Sequence, residues 1–168
     1  MPGRMGITTK ERKAVLRNQA SNLLWYERIE VTKGHVKSLR SYTEKILTLA
    51  INSYTDTVET TVTTKDSKGK EVTKKVIKDG PKKLAARRRL LALLQDRQEQ
   101  RVKGEKKAAF KARKGDIKHP LIEKLFEDFA PKYAKRAEET GNGGGYTRVI
   151  KTSVRRGDNA QLAIAELV

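Results

Sequence analysis

The sequence predicts an α+β fold in which a small, mostly antiparallel sheet is packed by amphipathic helices, with an inserted β-hairpin and a basic extension. Three observations carry that expectation. Apolar residues recur at helical spacing along most of residues 9–51 and again after Pro120. Segments 28–32, 146–154 and 161–168 alternate apolar with polar residues, as strands with one buried face do. Between these lie 54–79 and 103–118, too poor in large apolar side chains to build a core. Residues 1–168 are therefore read as one domain carrying two additions.

Thr8-Thr9-Lys10-Glu11 has the spacing of a capping box, in which the Thr8 hydroxyl and the Glu11 carboxylate each satisfy an exposed backbone donor, so a helix starts there. Leu16, Ala20, Leu23 and Leu24 form its packing stripe, and Arg12, Lys13 and Arg17 project elsewhere. Arg28 to Thr32 reads as a short strand with Ile29 and Val31 on one side. Thr32 is placed to cap a second helix whose buried stripe is Val36, Leu39, Thr43, Ile46, Leu47 and Ala50. Lys33, Lys37, Arg40 and Lys45 lie mostly off that stripe. Val58, Thr60 and Val62 alternate before the polar turn Asp66-Ser67-Lys68-Gly69, which predicts a hairpin over 54–79.

Gly80-Pro81 breaks the chain, and a helix is expected from Lys82 to Arg101 around Leu84, Leu91 and Leu94. Successive helical residues point about 100° apart, so Arg87, Arg88 and Arg89 cannot share one direction and at least one faces outward. Lys103 to Lys118 is either a solvated helix or a segment ordered only by RNA. Leu121, Ile122, Leu125, Phe126 and Phe129 give an amphipathic helix expected to end near Pro131. Gly141 to Gly145 reads as a flexible loop. Tyr146–Val154 and Gln161–Val168, separated by Arg156-Gly157-Asp158-Asn159, read as a hairpin that joins the early strand.

The charge is the feature that points to function. Lys and Arg outnumber Asp and Glu by 38 to 20, a net charge of +18 on 168 residues, where solubility alone asks for a magnitude of about 2 to 8. Such self-repulsion calls for a polyanion, and nucleic acid is the obvious one. The chain has no cysteine, which removes disulfides, thiol nucleophiles and cysteine-held metal clusters and fits a reducing cytoplasm. No apolar run approaches the ~20 residues of a membrane span, and Met1-Pro2-Gly3-Arg4 opens no signal peptide, so a soluble intracellular protein is expected.

Catalysis finds no support. His35 and His119 are too few for a zinc site. Glu27 with Glu30, and Glu123 with Glu127 and Asp128, read as surface carboxylates, since nothing supplies a nucleophile with an orienting partner. The glycine run Gly141–Gly145 has Tyr146 where a dinucleotide fingerprint needs glycine and lacks the Gly-Lys-Ser/Thr ending of a nucleotide loop. Arg156-Gly157-Asp158 reads as a tight turn. Trp25, Tyr26 and Tyr146 sit at element ends, where an aromatic either packs or stacks on a base. No cofactor and no small-molecule substrate are expected. What is left is a basic nucleic-acid-binding domain, which on charge alone could be a free-standing RNA chaperone or architectural nucleic-acid-binding protein.

Several blocks stand out: Arg12-Lys13-Ala14-Val15-Leu16-Arg17-Asn18-Gln19-Ala20, Thr43-Glu44-Lys45-Ile46-Leu47-Thr48-Leu49-Ala50, Lys124-Leu125-Phe126 with Ala130-Pro131-Lys132-Tyr133, and Gly144-Gly145-Tyr146-Thr147-Arg148-Val149-Ile150-Lys151 with Arg155-Arg156-Gly157-Asp158-Asn159-Ala160 and Glu166-Leu167-Val168. In order and spacing they resemble the bacterial large-subunit ribosomal protein seventeen family. The resemblance covers roughly 1–51, 82–98 and 120–168, and the remainder is similar to lineage-specific insertion. It implies an α+β structural protein without catalysis, seated on large-subunit ribosomal RNA near the polypeptide tunnel exit, beside other ribosomal proteins in the cytoplasm. It also implies RNA-facing roles for Arg12, Lys13 and Arg17, for Lys37 and Arg40, and for Tyr146, Arg148, Lys151, Arg155 and Arg156. The arginine cluster Arg87, Arg88 and Arg89 joins them on its chemistry, since a guanidinium binds phosphate in bidentate fashion and stacks on bases.

Overall fold

Helix α1, Thr9–Tyr26, begins as the capping box requires, with Thr8 Oγ1 accepting from the Glu11 amide and Glu11 Oε2 accepting from the Thr8 amide at 2.9 Å. The computed structural model describes residues 6–65, 71–115 and 117–168, so the start Met1–Arg4 and the turn Asp66–Gly69 lie outside the described residues. Glu27 ends α1 in the left-handed conformation and returns its amide to Leu23 O. Strand β1, Arg28–Thr32, follows directly, then α2, Lys33–Ile51. All six residues of the expected α2 stripe are buried. Thr32 occupies the N-cap of α2, but its side chain makes no capping hydrogen bond.

Strands β2, Thr57–Lys65, and β3, Glu71–Asp79, pair antiparallel from Thr57↔Asp79 onward as a separate two-stranded sheet. Among its described side chains Val58, Val76 and Ile77 are exposed. At its root Asp56 accepts from the amides of Lys82 and Lys83 at 2.7 and 3.2 Å and so caps α3, Pro81–Leu93. Only glycine fits beside that cap, since a Cβ on Gly80 would lie 2.4 Å from the Asp56 carboxylate.

Two expected boundaries need correction. The helix after Pro81 ends at Leu93 instead of Arg101, because Leu94 turns extended and the Gln95 amide donates to Ser21 Oγ at 2.8 Å. Leu90 and Leu94 are the buried leucines of this stretch, whereas Leu84 and Leu91 are exposed. The helix after Pro120 does not stop at Pro131 but continues as α5, Pro120–Lys124, a π-helical turn Leu125–Phe129, and α6, Ala130–Thr140. The wide turn carries the Ala130 amide to Leu125 O, so Pro131 falls in the first turn of α6, where a missing N–H costs nothing. A short helix α4, Lys107–Lys114, lies between and buries no residue.

Strands β4, Thr147–Val154, and β5, Gln161–Leu167, form the expected hairpin, and the main sheet has the order β1-β5-β4. Central β5 turns Ala163 and Ala165, both almost fully buried, toward the helices. Such small side chains let α1 and α2 approach the sheet closely, and the core closes around Leu23, Leu24, Leu39, Leu47, Leu90 and Leu125. Leu39 has no exposed surface. Leu39→Ala is expected to lower unfolding free energy by about 2–5 kcal/mol, and Val149→Ala on edge strand β4 by about 0.5 kcal/mol or less, measured by urea denaturation.

Candidate nucleic-acid interface

Cations project from α1, α2, α3 and the β4–β5 hairpin, and what separates them is whether a carboxylate of the same chain already answers each charge. Arg87 is the clearest answered case. It is half-buried, donates to Asp79 Oδ2 at 2.6 Å and to both oxygens of Glu123, and lies 5.2 Å from the Phe126 ring centre. Its pKa rises because the hydrogen bonds and charges of Glu123 and Asp79 outweigh its burial, and the same contacts from Arg87 and Lys83 hold Asp79 below the usual carboxylate range against burial. Arg87 thus ties the hairpin root, α3 and α5 together. Of the three consecutive arginines only Arg88 and Arg89 are exposed and without an ion pair among the described residues.

Tyr146 is likewise turned inward. Its ring is 6% exposed and packs 4.9 Å from that of Tyr133, which removes the base-stacking expectation for it. Tyr133 has no exposed surface, and burial pushes its phenol up to about 12. Arg136 lies between the two rings, 5.2 and 5.7 Å from their centres, and donates to the carbonyls of Gly144 and Gly145. The glycine loop expected to be flexible is therefore pinned at its C-terminal end. Trp25 is half-buried and packs against the core, and Tyr26 is exposed.

Arg17 donates to Ala92 O at the end of α3 and acts as a brace between α1 and α3. Arg40 pairs with Glu44 at 3.1 Å, Arg148 with Glu166, and Arg155 with Asp158. These last three guanidinium groups are exposed. Surface pairs of this kind hold little free energy, and a phosphate can take over the cation. Lys13, Lys37, Lys151 and Arg156 are exposed and make no ion pair among the described residues. Arg12 is half-buried on α1.

Two cations that sequence reasoning did not nominate complete the α2 edge. Lys33 is exposed and donates to Gln161 Oε1 at 2.8 Å, and Lys45 lines a pocket with Arg89 and Tyr42. Their signal was the four-residue spacing of Lys33, Lys37, Ser41 and Lys45, one edge of α2 beside the buried stripe. Asp158 shows how such a surface stays ordered without RNA. The Arg155 guanidinium and the Ala160 amide hold its carboxyl down to about 2, and the turn Arg156–Asn159 closes around it.

An α+β scaffold that buries one set of basic side chains against its own acids and leaves another set unanswered at fixed spacings is a polyanion-binding structural protein. The family model for Ribosomal protein L17 matches residues 15–168. Curated relatives, each called large ribosomal subunit protein bL17, are 33% identical in Lachnospira eligens, 33% in Fusobacterium nucleatum subsp. nucleatum and 35% in Exiguobacterium sp.. Each alignment covers 98% of this chain, and 97%, 93% and 97% of the respective relative. The chain belongs to the ribosomal protein L17 family. No helix among the described residues is long and apolar enough to cross a membrane.

The two kinds of arginine are separable by experiment. Arg87→Ala is expected to lower stability by about 2 kcal/mol, since it strands the half-buried Glu123 and leaves Asp79 with Lys83 alone, whereas Arg88→Ala leaves the urea midpoint unchanged and weakens RNA binding. The Asp158 carboxyl is expected to titrate near 2 by carbon NMR, and Arg155→Ala to return it toward 3.8. Its folded value is depressed, so the turn's contribution is complete above about 4 and is lost as pH falls through about 2.

Proposed function

We propose that this chain is a structural constituent of the large ribosomal subunit that binds and stabilises its ribosomal RNA and so supports translation in the cytoplasm. The observation that carries the proposal is the match across nearly the whole chain to relatives named as large-subunit proteins. The mechanism is electrostatic. A rigid apolar core holds the unanswered cations of α1, α2, α3 and the β4–β5 hairpin at fixed spacings, and phosphates of separate RNA segments approach each other across them. Recognition follows RNA tertiary shape more than base identity, because A-form RNA hides its base edges in a deep, narrow groove. As a member of a structural family the chain is not an enzyme.

Partners are the large-subunit RNA and neighbouring ribosomal proteins, with a seat near the polypeptide tunnel exit expected from the family resemblance. The RNA-facing set is Lys13, Lys37, Arg40, Arg88, Arg89, Arg148, Lys151, Arg155 and Arg156, with Arg12 at its margin. We read the chain as one domain from which the 54–79 hairpin and the basic 103–118 segment reach outward along RNA or a neighbouring protein. The alternative of a free-standing chaperone or architectural protein is not favoured.

Sedimentation of a lysate through sucrose at raised salt decides the matter. Recovery in one-to-one ratio with large subunits is expected, and recovery at the top of the gradient would return the chaperone reading. Removing 58–78 of the hairpin and 103–118 together, which keeps Asp56 and Asp79 at its root, is expected to slow subunit assembly, and unaltered assembly would refute their outward role.

A further inference from the structure

A groove of about 380 Å³ runs between α2 and α3, lined from α2 by Tyr42, Lys45, Leu49 and Asn52 and from α3 by Arg89 and Leu93. Residues three and four apart share a helix face, so each helix presents its set along one side. The lining divides by chemistry. Tyr42, Leu49 and Leu93 are half-buried and make an apolar floor. The Tyr42 hydroxyl donates to Leu93 O at 2.7 Å, which fixes the ring and leaves the floor no free polar group on that side chain. Lys45 and Arg89 are exposed, and neither makes an ion pair among the described residues. No acid lines the groove to answer them. Asn52 is exposed at the C-cap of α2, and its carboxamide makes no hydrogen bond among the described residues.

A nucleobase has two apolar faces and a polar edge, and in RNA it hangs from a chain of phosphates. The groove offers a match for each part: an apolar floor, a carboxamide with two donors and an acceptor, and two cations without a partner. Its volume falls in the range of about 300 to 1,000 Å³ that small-ligand sites take. An apolar side chain of a neighbouring protein would use the floor alone and leave both cations unanswered. We propose that the α2–α3 groove receives one unstacked base of the ribosomal RNA, with the base on Leu49 and Leu93, the Asn52 amide at its edge and the Lys45 and Arg89 cations on the flanking phosphates. The site rests on the RNA-binding reading above and adds to it a contact with a base, where the surface cations alone meet only the backbone.

Asn52→Ala separates this site from a purely electrostatic surface, because it removes no charge. The full-length variant is expected to bind large-subunit RNA about tenfold more weakly, with the salt slope and the melting temperature of the wild type. Arg89→Ala is expected to lose one phosphate contact instead, a slope change of about 0.7 to 0.9. An electron cryomicroscopy map of large subunits carrying this chain is expected to show a base lying between α2 and α3. Unchanged affinity in Asn52→Ala overturns the site, as does a loss that only follows a fall in melting temperature. A map in which the groove stands empty or holds a side chain of another protein overturns it too. In each of these cases RNA binding by the wild-type chain leaves the function reading standing. A wild-type chain that neither binds the RNA nor enters the subunit overturns the function reading and the site together.

Discussion

Helix α2 packs at once against α1, α3, α6, the π-helical turn and all three strands of the main sheet, so its buried stripe sets the position of everything else. Val36, Leu39, Ile46, Leu47 and Ala50 leave that helix only one way to sit. Fixing the stripe inward fixes Lys33, Lys37 and Lys45 outward beside it, because the helical repeat allows no independent choice. The apolar core and the basic surface are two consequences of one periodicity. A substitution on the stripe therefore disturbs the spacing of cations it never touches.

The remaining charge is distributed by competition. Asp79 and Glu123 take Arg87, and Glu166 and Asp158 take guanidinium groups on the last hairpin. The half-buried pair around Arg87 is geometry the fold needs, since a carboxylate there without its partner would carry an uncompensated charge away from water. The exposed pairs differ in kind. They hold long exposed side chains in place at little free energy.

Elements with regular periodicity were legible in the sequence almost to the residue. The capping box at Thr8, strand Arg28–Thr32, the α2 stripe and the closing hairpin all depend on neighbours within a few positions. What escaped depends on partners far away along the chain. The end of α3 is set by Ser21, 74 residues before Gln95. The passage of the last helix through Pro131 requires a π-helical turn, for which composition has no marker. For the candidate site the basic positions were readable but their availability was not. Nothing local to Arg87 separates it from Arg88, because the difference lies in Asp79, Glu123 and Phe126. The inward turn of Tyr146 escaped for the same reason, its ring being claimed by Tyr133 on another element.

The β2–β3 ribbon meets the body chiefly through α3, and its base is fixed by Asp56 and by Arg87 on Asp79. Strands of nine residues at about 3.3 Å each reach roughly 30 Å from that base. Because no described side chain of the ribbon lies in the core, its length can change over evolutionary time without repacking the body. The change is quantised, however. One residue added to each strand exchanges the two faces, while two added to each restore them, so relatives that preserve a facing surface should differ here in steps of four residues.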